Sequence, residues 1–315
     1  MDRASFASLS AFLFDEPCIS ARHNVPISML TSMRIGGDAS TVLSVRDGGC
    51  LIRLLDRLAA GDLPYRVIGN GTNLIGPDAG YGGVLIPTAG IDRVSVSGTT
   101  LVAGAGAPLG RVIRRAMEAG LSGLEYLYGI PGTVGGALYM NAGAFGHTVS
   151  ERLRHATVYR PATGEVTVRT PSSLAFGYRT GAIRNEGMIV LSAAFSLTSD
   201  DPDTIARRMG EALEKRRETQ PLDSPSAGSF FRRPAPDIPV GQLIADAGCA
   251  GMREGGAGVS TKHAGFIVNH GGATEGDVRR LAERVRERVA ERFGIALQPE
   301  VEYLSDLCAY QTQKQ

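Results

Sequence analysis

The chain has 315 residues, of which 43% are hydrophobic and 21% are charged, and its formal net charge is +1. A chain of this length can bury more than one core, so we expect a soluble globular protein of two or three compact units. So small a charge provides no broad electrostatic field. Nucleic acid and acidic lipid are therefore not expected as partners, and any anionic ligand must be held by local groups.

The N-terminal segment and the cysteines bear on the compartment. "MDRASFASLSAFLFDEPC" places acidic residues within and after its apolar patch, unlike a signal peptide, and no later apolar run approaches the ~20 residues that cross a bilayer. The cysteines form no C-x-x-C pair and the histidines no H-x-x-x-H pair, so neither a disulfide framework nor a metal site is predicted. The four cysteines are Cys18, Cys50, Cys249 and Cys308. These features favour the reducing cytoplasm.

Short β-rich pieces and amphipathic helices are mixed along the first two thirds of the chain. Strand composition predicts β-structure at residues 65–69, 83–87, 93–98, 100–106 and 188–197, and a hairpin at 156–170. Helical periodicity predicts helices at residues 50–60, 108–120 and 201–218. This order predicts the α+β fold class.

The best candidate for a domain boundary is "TQPLDSPSAGS", residues 219–229, a Pro- and Ser-rich stretch after a charged helix. Beyond it we expect a strand at 264–269, a long helix at 273–294 and a closing strand at 297–304. The helix carries one apolar stripe, formed by Val278, Leu281, Ala282, Val285, Val289 and Phe293. These elements suffice for one small α+β unit of about 85 residues.

Three glycine-rich stretches invite a nucleotide-binding interpretation. The glycines at 104, 106 and 110 miss the G-x-G-x-x-G spacing by one residue, which argues against a Rossmann loop. "GNGTN" at 69–73 offers successive backbone N–H groups, a hydroxyl and two amides, the ingredients of an anion-binding nest. "YGIPGTVGGALYMNAGAFG" at 128–146 would let a flat ligand lie against the backbone. Residue chemistry alone leaves open whether the last two loops bind a ligand or only pack tightly.

Seven motifs in register give the chain a family resemblance. They are "LTSMRIGG", "VIGNGTNLI", "GLSGLEYLYGIPGTVGGALYMNAGAFG", "FGYRTG", "RRETQPLDSPSAGSFFRRP", "VSTKHAGFIVNHGGAT" and "LQPEVEYL". Over residues 24–304 the chain resembles the UDP-N-acetylenolpyruvoylglucosamine reductase family. Only a few residues separate "FGYRTG" from the strand "MIVLSAAFSL". This leaves no room for the inserted tyrosine loop of one subgroup, so the chain resembles the shorter, second type.

The resemblance implies an architecture and an activity. It implies an FAD-binding region of two α+β subdomains, of the kind shared with vanillyl-alcohol-oxidase flavoproteins, and a C-terminal substrate domain. We place their limits at residues 1–88, 89–219 and 220–315. The implied reaction is the reduction of UDP-N-acetylglucosamine enolpyruvate to UDP-N-acetylmuramate in peptidoglycan synthesis, with non-covalent FAD and NADPH as hydride donor. The alternatives are an FAD oxidoreductase acting on another alcohol or sugar, and a flavin-binding protein without catalysis. No oligomer is indicated.

Three residues match the catalytic positions of the family. Ser229 alone would be a turn residue, but it matches the proton donor, and Arg179 in "FGYRTG" matches the arginine that grips the substrate carboxylate. Glu300 matches the glutamate of "PEV". Strand alternation would put Glu302 on the same face as Glu300, so only the motif chooses between them.

The resemblance also assigns residues to binding. The expected FAD contacts are Gly69, Asn70, Gly71, Thr72, Asn73, Leu74, Ile130, Pro131, Gly132, Gly135, Gly136, Asn141, Ala142 and Gly143. The expected substrate contacts are Tyr178, Arg179, Ser229, Arg232 and Arg233. Gly181, Phe145 and the Arg232–Arg233 pair depart from the usual family residues, and the two arginines still supply charge suited to a diphosphate.

Overall fold

The computed structural model describes residue 9 and residues 11–307. Cys308 and most of the first ten residues, part of the segment weighed as a signal peptide, lie outside the described residues. Within the described part, no helix has the length and apolar character needed to cross a membrane. From residue 16 to residue 307, the α-helices are Gly48–Ala60, Leu109–Glu118, Val134–Tyr139, Pro171–Leu174, Ala182–Asn185, Pro202–Thr219, Val240–Asp246 and Glu275–Phe293.

The first unit is a four-stranded sheet covered by one helix. Its strands, in spatial order, are Ile19–Pro26, Asp38–Val45, Tyr81–Pro87 and Tyr65–Ile68, with the first pair antiparallel and the others parallel. The helix Gly48–Ala60 begins at Asp47, whose side chain accepts a hydrogen bond from the backbone N–H of Cys50, and it buries a leucine stripe against the sheet. The first two strands were not predicted.

A disulfide bond joins Cys18 to Cys50 in this unit. The expectation of no disulfide was therefore wrong for this pair. The two cysteines are 32 residues apart in sequence and meet because one precedes the first strand while the other lies in the first turn of the helix. Spacing along the chain does not reveal such a pairing. Cys249 is a buried free thiol.

The second unit contains a five-stranded antiparallel sheet. Its strands, in spatial order, are Glu165–Arg169, Leu153–Arg160, Ile189–Ser196, Thr100–Gly104 and Val94–Ser97. The predicted hairpin is present as the first two of these strands. The helices Leu109–Glu118 and Pro202–Thr219 bury apolar residues in the same core. Asp201 caps the second helix by accepting a hydrogen bond from the backbone N–H of Thr204, and Pro202 follows at the first helical position.

The glycines at 104 and 106 have a packing role. A Cβ on Gly104 would collide with the carbonyl oxygen of Ile91, and one on Gly106 would collide with that of Thr88. These two glycines therefore let the strand and the loop after it approach a neighbouring segment of the chain. This packing agrees with the rejection of a Rossmann loop.

The third unit is a four-stranded antiparallel sheet with two helices. Its strands, in spatial order, are Ser226–Ser229, Phe266–Asn269, Ala257–Val259 and Arg253–Glu254. The helix Glu275–Phe293 buries most of the predicted apolar stripe, but Phe293 is 39% exposed. Its inclusion in the stripe was wrong, because the helix ends there and the chain turns through Gly294 at φ +68°.

The closing strand is shorter than expected. Between 297 and 304, only Glu302–Tyr303 forms a strand, and it pairs in parallel with Leu74–Ile75 of the first unit. Pro299 forms an isolated bridge with Phe231 of the third unit. This segment therefore crosses from the third unit to the first, with Glu300 between the two attachments. The remaining short strands are Leu121–Ser122 paired with Thr198–Ser199, and Gly143–Ala144 paired with His147–Thr148.

Candidate functional site

A cavity of about 1290 Å³ is lined by residues from all three units. Its lining includes the loops at 69–73 and 129–136, the segment 178–179 and the segment 220–229. Pockets for drug-sized ligands are typically about 300–1,000 Å³, so this cavity has room for a large cofactor together with a second ligand. Two walls of different composition face this cavity.

The glycine wall consists of residues 69–73 and 129–136. The two loops are tied together, because the side-chain amide of Asn70 donates a hydrogen bond to the carbonyl oxygen of Pro131 at 3.1 Å. A Cβ on Gly69 would lie 2.6 Å from the hydroxyl of Thr133, so no larger residue fits between the loops without displacing it. That hydroxyl accepts a hydrogen bond from the backbone N–H of Gly136. The wall is thus mainly backbone held in a fixed shape.

Gly71 has a φ of +60°, which favours glycine, and a Cβ there would collide with the carbonyl oxygen of Leu30. Backbone approach to another segment of this chain therefore already explains this glycine. Asn73, at the end of the same loop, donates from its side-chain amide to the carbonyl oxygen of Glu300 at 3.1 Å. The loop is consequently anchored on both sides, and all five of its residues line the cavity.

The charged wall consists of Arg179, Ser229, Glu300 and Glu302, which line the cavity, and it is supported by Arg184, which does not. The Nε of Arg179 donates to Oε1 of Glu300 at 2.6 Å, across 121 residues of sequence. The guanidinium of Arg184 pairs with Glu302 at 2.7 Å and also donates to the carbonyl oxygen of Arg179 at 3.3 Å. Two parallel ion pairs therefore hold the segment 179–184 against the closing segment. Arg179 itself has a φ of +54°, a conformation that its surroundings must stabilise.

Glu300 is 8% exposed. Burial raises the pKa of the Glu300 carboxyl, and the neighbouring Arg179 guanidinium opposes that rise. A buried carboxyl with a raised pKa and a cationic partner is typical of functional sites. The group can therefore hold a proton more readily than an exposed glutamate if the arginine is drawn to another anion.

Ser229 ends a bulged strand in which Gly228 has a φ of +79°. Its hydroxyl donates to the carbonyl oxygen of Phe231 at 3.3 Å and lines the cavity. The next residue, Phe230, accepts a hydrogen bond at its carbonyl oxygen from the backbone N–H of Glu300 at 2.8 Å. The backbone thus brings Ser229 next to Glu300, and Glu300 holds Arg179.

Of the expected substrate contacts, Tyr178 and Arg233 line the cavity and Arg232 does not. The Tyr178 ring lies close to the guanidinium groups of both Arg179 and Arg233, whose central carbons are 5.4 Å and 5.0 Å from its centroid. Arg232 instead lies close enough to Glu300 to lower its pKa.

Among the expected FAD contacts, Asn141 does not line the cavity. Its side-chain amide donates to the carbonyl oxygen of Gly177 at 2.9 Å, and its own carbonyl oxygen accepts from Arg179 at 3.4 Å. Asn141 thus supports the turn that presents Arg179. The other expected FAD contacts line the cavity.

Sequence reasoning missed four residues of this region: Tyr139, Arg184, Glu302 as a partner of Arg184, and Arg216. The Tyr139 hydroxyl donates to Glu302 at 3.1 Å. Strand alternation had already placed Glu302 beside Glu300, which was a usable signal. "AIRN" around Arg184 contained none, because a lone arginine in a short polar segment is ordinarily a surface residue.

Two family models match the chain. The C-terminal domain of UDP-N-acetylenolpyruvoylglucosamine reductase matches residues 220–304, and an FAD binding domain matches residues 39–169. The glycine wall falls within the second range and Ser229 and Glu300 within the first, whereas Arg179 lies between the two. The match to an FAD binding domain agrees with the expected α+β fold and FAD-binding region.

Named relatives cover most of the chain. The UDP-N-acetylenolpyruvoylglucosamine reductase of Thermotoga maritima is 41% identical over 276 residues, covering 88% of this chain and 96% of that protein. The protein of the same name from Latilactobacillus sakei is 40% identical over 295 residues, covering 94% and 97%. The crystal structure of UDP-N-acetylenolpyruvylglucosamine reductase (MurB) from Thermus caldophilus matches with a TM-score of 0.76 at 34% identity, covering 90% of this chain and 98% of that one.

Proposed function

The chain belongs to the UDP-N-acetylenolpyruvoylglucosamine reductase family, and from that premise we propose how its residues carry out the reaction. The activity is the FAD-mediated, NADPH-dependent reduction of UDP-N-acetylglucosamine enolpyruvate to UDP-N-acetylmuramate in peptidoglycan synthesis. The observation that carries the proposal is the meeting of Arg179, Ser229 and Glu300 in the cavity that the glycine wall also lines. A flavin-binding protein without catalysis, or an oxidase of another alcohol, has no need for this set.

The residues present fit FAD. The glycine wall lines the cavity with two loops in which a Cβ has no space at Gly69 or Gly71, and their backbone N–H groups would suit phosphate oxygens. We propose that it holds the cofactor without a covalent link. FAD supplies the hydride chemistry when bound, accepting a hydride from NADPH and passing it to the vinyl carbon of the substrate.

Arg179 would hold the substrate carboxylate. A guanidinium can bind a carboxylate with two parallel hydrogen bonds, and its present partner Glu300 is itself a carboxylate, so substrate can take over part of that interaction. Glu300, relieved of its hydrogen-bonded ion pair with Arg179, would bind a proton and donate a hydrogen bond to the carboxylate oxygen on which negative charge develops. The Glu302–Arg184 pair would keep a second cation from replacing Arg179 at Glu300.

Ser229 would deliver the proton that completes the reduction. Hydride addition at the terminal carbon leaves an enolate whose neighbouring carbon is strongly basic, so even a hydroxyl can act as the acid. The hydroxyl now donates to the carbonyl oxygen of Phe231 at 3.3 Å, a weak bond that it can exchange for substrate. Tyr178 and Arg233 would contact the diphosphate end of the substrate, and Arg232 would act through Glu300 instead.

We propose that residues 1–88 and 89–219 hold FAD and that residues 220–315 bind the substrate. The hydrophobic cluster of the second sheet consists of buried residues between 101 and 209, which supports the limits of that unit. The cluster of the first sheet also includes Tyr159, Ile189 and Leu191, and that of the third also includes Met33, Ile35 and Ile75, so these cores are continuous across the proposed limits. We also propose a cytoplasmic location and no nucleic-acid partner.

The proposed function is tested by an anaerobic titration of the purified protein. NADPH should bleach the flavin absorbance, and UDP-N-acetylglucosamine enolpyruvate added next should restore it in a stoichiometric amount. Bleaching without recovery would show that the substrate is a different one. A purified protein without a flavin spectrum would contradict the proposal, because the reaction depends on bound FAD.

A further inference from the structure

Arg216 is a buried cation without an anionic partner. It lies in the last turn of the helix Pro202–Thr219, and it is 7% exposed. Its Nε is buried and makes no hydrogen bond within the described residues, and the structure places no carboxylate in an ion pair with it among residues 9 and 11–307. Burial lowers the pKa of its guanidinium, but an arginine stays charged in any accessible pH range.

Another arginine of the same helix is fully paired. Arg208 forms ion pairs with Glu125 at 2.9 Å and with Asp200 at 2.5 Å. Arg208 and Arg216 belong to the same amphipathic helix. Acidic residues pair with the first of them, so the absence of an anion is particular to the surroundings of Arg216. A buried charge without a partner is strongly unfavourable in a folded protein. Since no carboxylate of the described residues pairs with Arg216, we expect an anion from outside the chain to bind there.

The position of Arg216 points to the cavity. It is one of the cavity-lining residues, next to the start of the glycine wall. A Cβ on Gly129 would lie 3.0 Å from Cδ of Arg216, so the glycine lets the arginine pass close to the loop. The central guanidinium carbon of Arg216 and the Nζ of Lys215 lie 5.5 Å and 5.1 Å from the ring centroid of Phe145. A second cation here increases the need for negative charge.

The ligand that meets this need must be negatively charged for most of the catalytic cycle. A neutral oxidised flavin ring would not neutralise Arg216. The diphosphates of NADPH and of the UDP-sugar are present only while those molecules are bound. FAD is the resident ligand, and its diphosphate is permanently charged. The planar guanidinium is also well shaped to donate two hydrogen bonds to phosphate oxygens.

We propose that Arg216 binds the diphosphate of FAD and that this cofactor neutralises the arginine only in the holoprotein. This inference rests on the proposed function, because it takes FAD as the resident cofactor. It adds a side-chain cation to a cofactor site otherwise formed by backbone. It also makes folding and cofactor binding depend on one another, because the chain alone leaves a buried charge uncompensated.

Arg216→Gln tests the inference by flavin binding. We expect the dissociation constant of FAD, measured by flavin fluorescence, to rise about 10- to 100-fold, as for the loss of one charge-assisted hydrogen-bonded pair. Arg216→Lys should recover part of the affinity. The matched control is Arg217→Gln, which removes the next arginine, 62% exposed and only 3.6 Å from Glu214, and should leave FAD affinity unchanged.

Thermal unfolding separates this role from a structural one. Without FAD, Arg216→Gln should unfold at the same or a higher temperature than the wild type, because it removes an uncompensated charge. At saturating FAD it should unfold at a lower temperature. A variant that is less stable without FAD, or that fails to fold, would assign Arg216 a structural role and overturn the inference.

UDP binding to the FAD-saturated protein identifies the source of the diphosphate. UDP affinity should be the same in the wild type and in Arg216→Gln. Unchanged FAD affinity with weakened UDP affinity would overturn the assignment to FAD. The proposed function fails on different grounds, namely a wild-type protein that binds no FAD.

Discussion

The glycine wall and the charged wall line one cavity but are built in opposite ways. The glycine wall is held by backbone contacts in which a Cβ has no space, as at Gly71 against Leu30. The charged wall is held by side-chain ion pairs between distant parts of the chain, as between Arg179 and Glu300. The difference suggests that the first wall determines whether cofactor binds and the second determines what happens to the substrate.

The strongest test of this division is Ser229→Ala, which removes one hydroxyl from the charged wall. FAD should still bind and NADPH should still bleach it, because the glycine wall is unchanged. Recovery of absorbance on adding the enolpyruvyl sugar should slow by roughly 10²–10⁴-fold, the range for loss of a general acid. Stopped-flow absorbance measures both steps. Ser229→Cys, a stronger acid, should recover part of the rate.

Ser226→Ala is the matched control, since it removes a hydroxyl from the same strand at a position to which no chemistry is assigned. Both steps should be close to normal in that variant. Normal recovery in Ser229→Ala would instead make Ser229 a turn residue, whose hydroxyl serves only the bond to Phe231.

Arg179→Glu should give the next largest effect. It places a carboxylate beside Glu300 and against the substrate carboxylate, so recovery with the enolpyruvyl sugar should fall on the order of 10²–10³-fold, as when one partner of a buried charge pair is lost. Bleaching by NADPH should survive better. Equal losses in the two steps would indicate that Arg179 serves folding or flavin binding, and thus that the two walls are not separate.

The two walls differ in how much of each could be predicted from the sequence. The glycine wall is local in sequence, so the two loops could be identified from "GNGTN" and from the run 128–146. The charged wall depends on contacts across 121 residues, and only a family motif could select Arg179 and Glu300. Without the family motif, Ser229 would be interpreted as a turn residue, and strand alternation could not distinguish Glu302 from Glu300.

The fold shows the same limit. The hairpin at 156–170 and the helix at 201–218 were predicted because turn residues and capping residues mark them locally. The Cys18–Cys50 pairing and the division of the closing segment between two units were missed. Both depend on how distant elements pack, which no local pattern records.

Gly71→Val tests the glycine wall. Its side chain would require a φ of +60° in a β-branched residue and would collide with Leu30, so we expect a stability loss of about 1–3 kcal/mol and weakened FAD retention. Gly210→Ala is the control, because a Cβ there meets nothing within 4 Å and should stabilise the helix by about 0.5–1 kcal/mol. Flavin content and chemical denaturation measure both. Full flavin content with normal stability in Gly71→Val would contradict the rigid-backbone account.

The smallest expected effect is a pH dependence from Glu300. Burial raises its folded pKa above 4.5, so between that value and the raised pKa the folded protein binds more protons than the unfolded chain. The stability that Glu300 contributes is therefore fully present below pH 4.5 and is lost as the pH rises through its folded pKa. Glu300→Gln cannot titrate and should lack this dependence. Chemical denaturation of both proteins at saturating FAD, from below pH 4.5 to about pH 8, should show the wild-type advantage shrinking as pH rises. An advantage that grows with pH would mean that the Arg179 ion pair outweighs burial and that Glu300 is an ordinary low-pKa carboxylate.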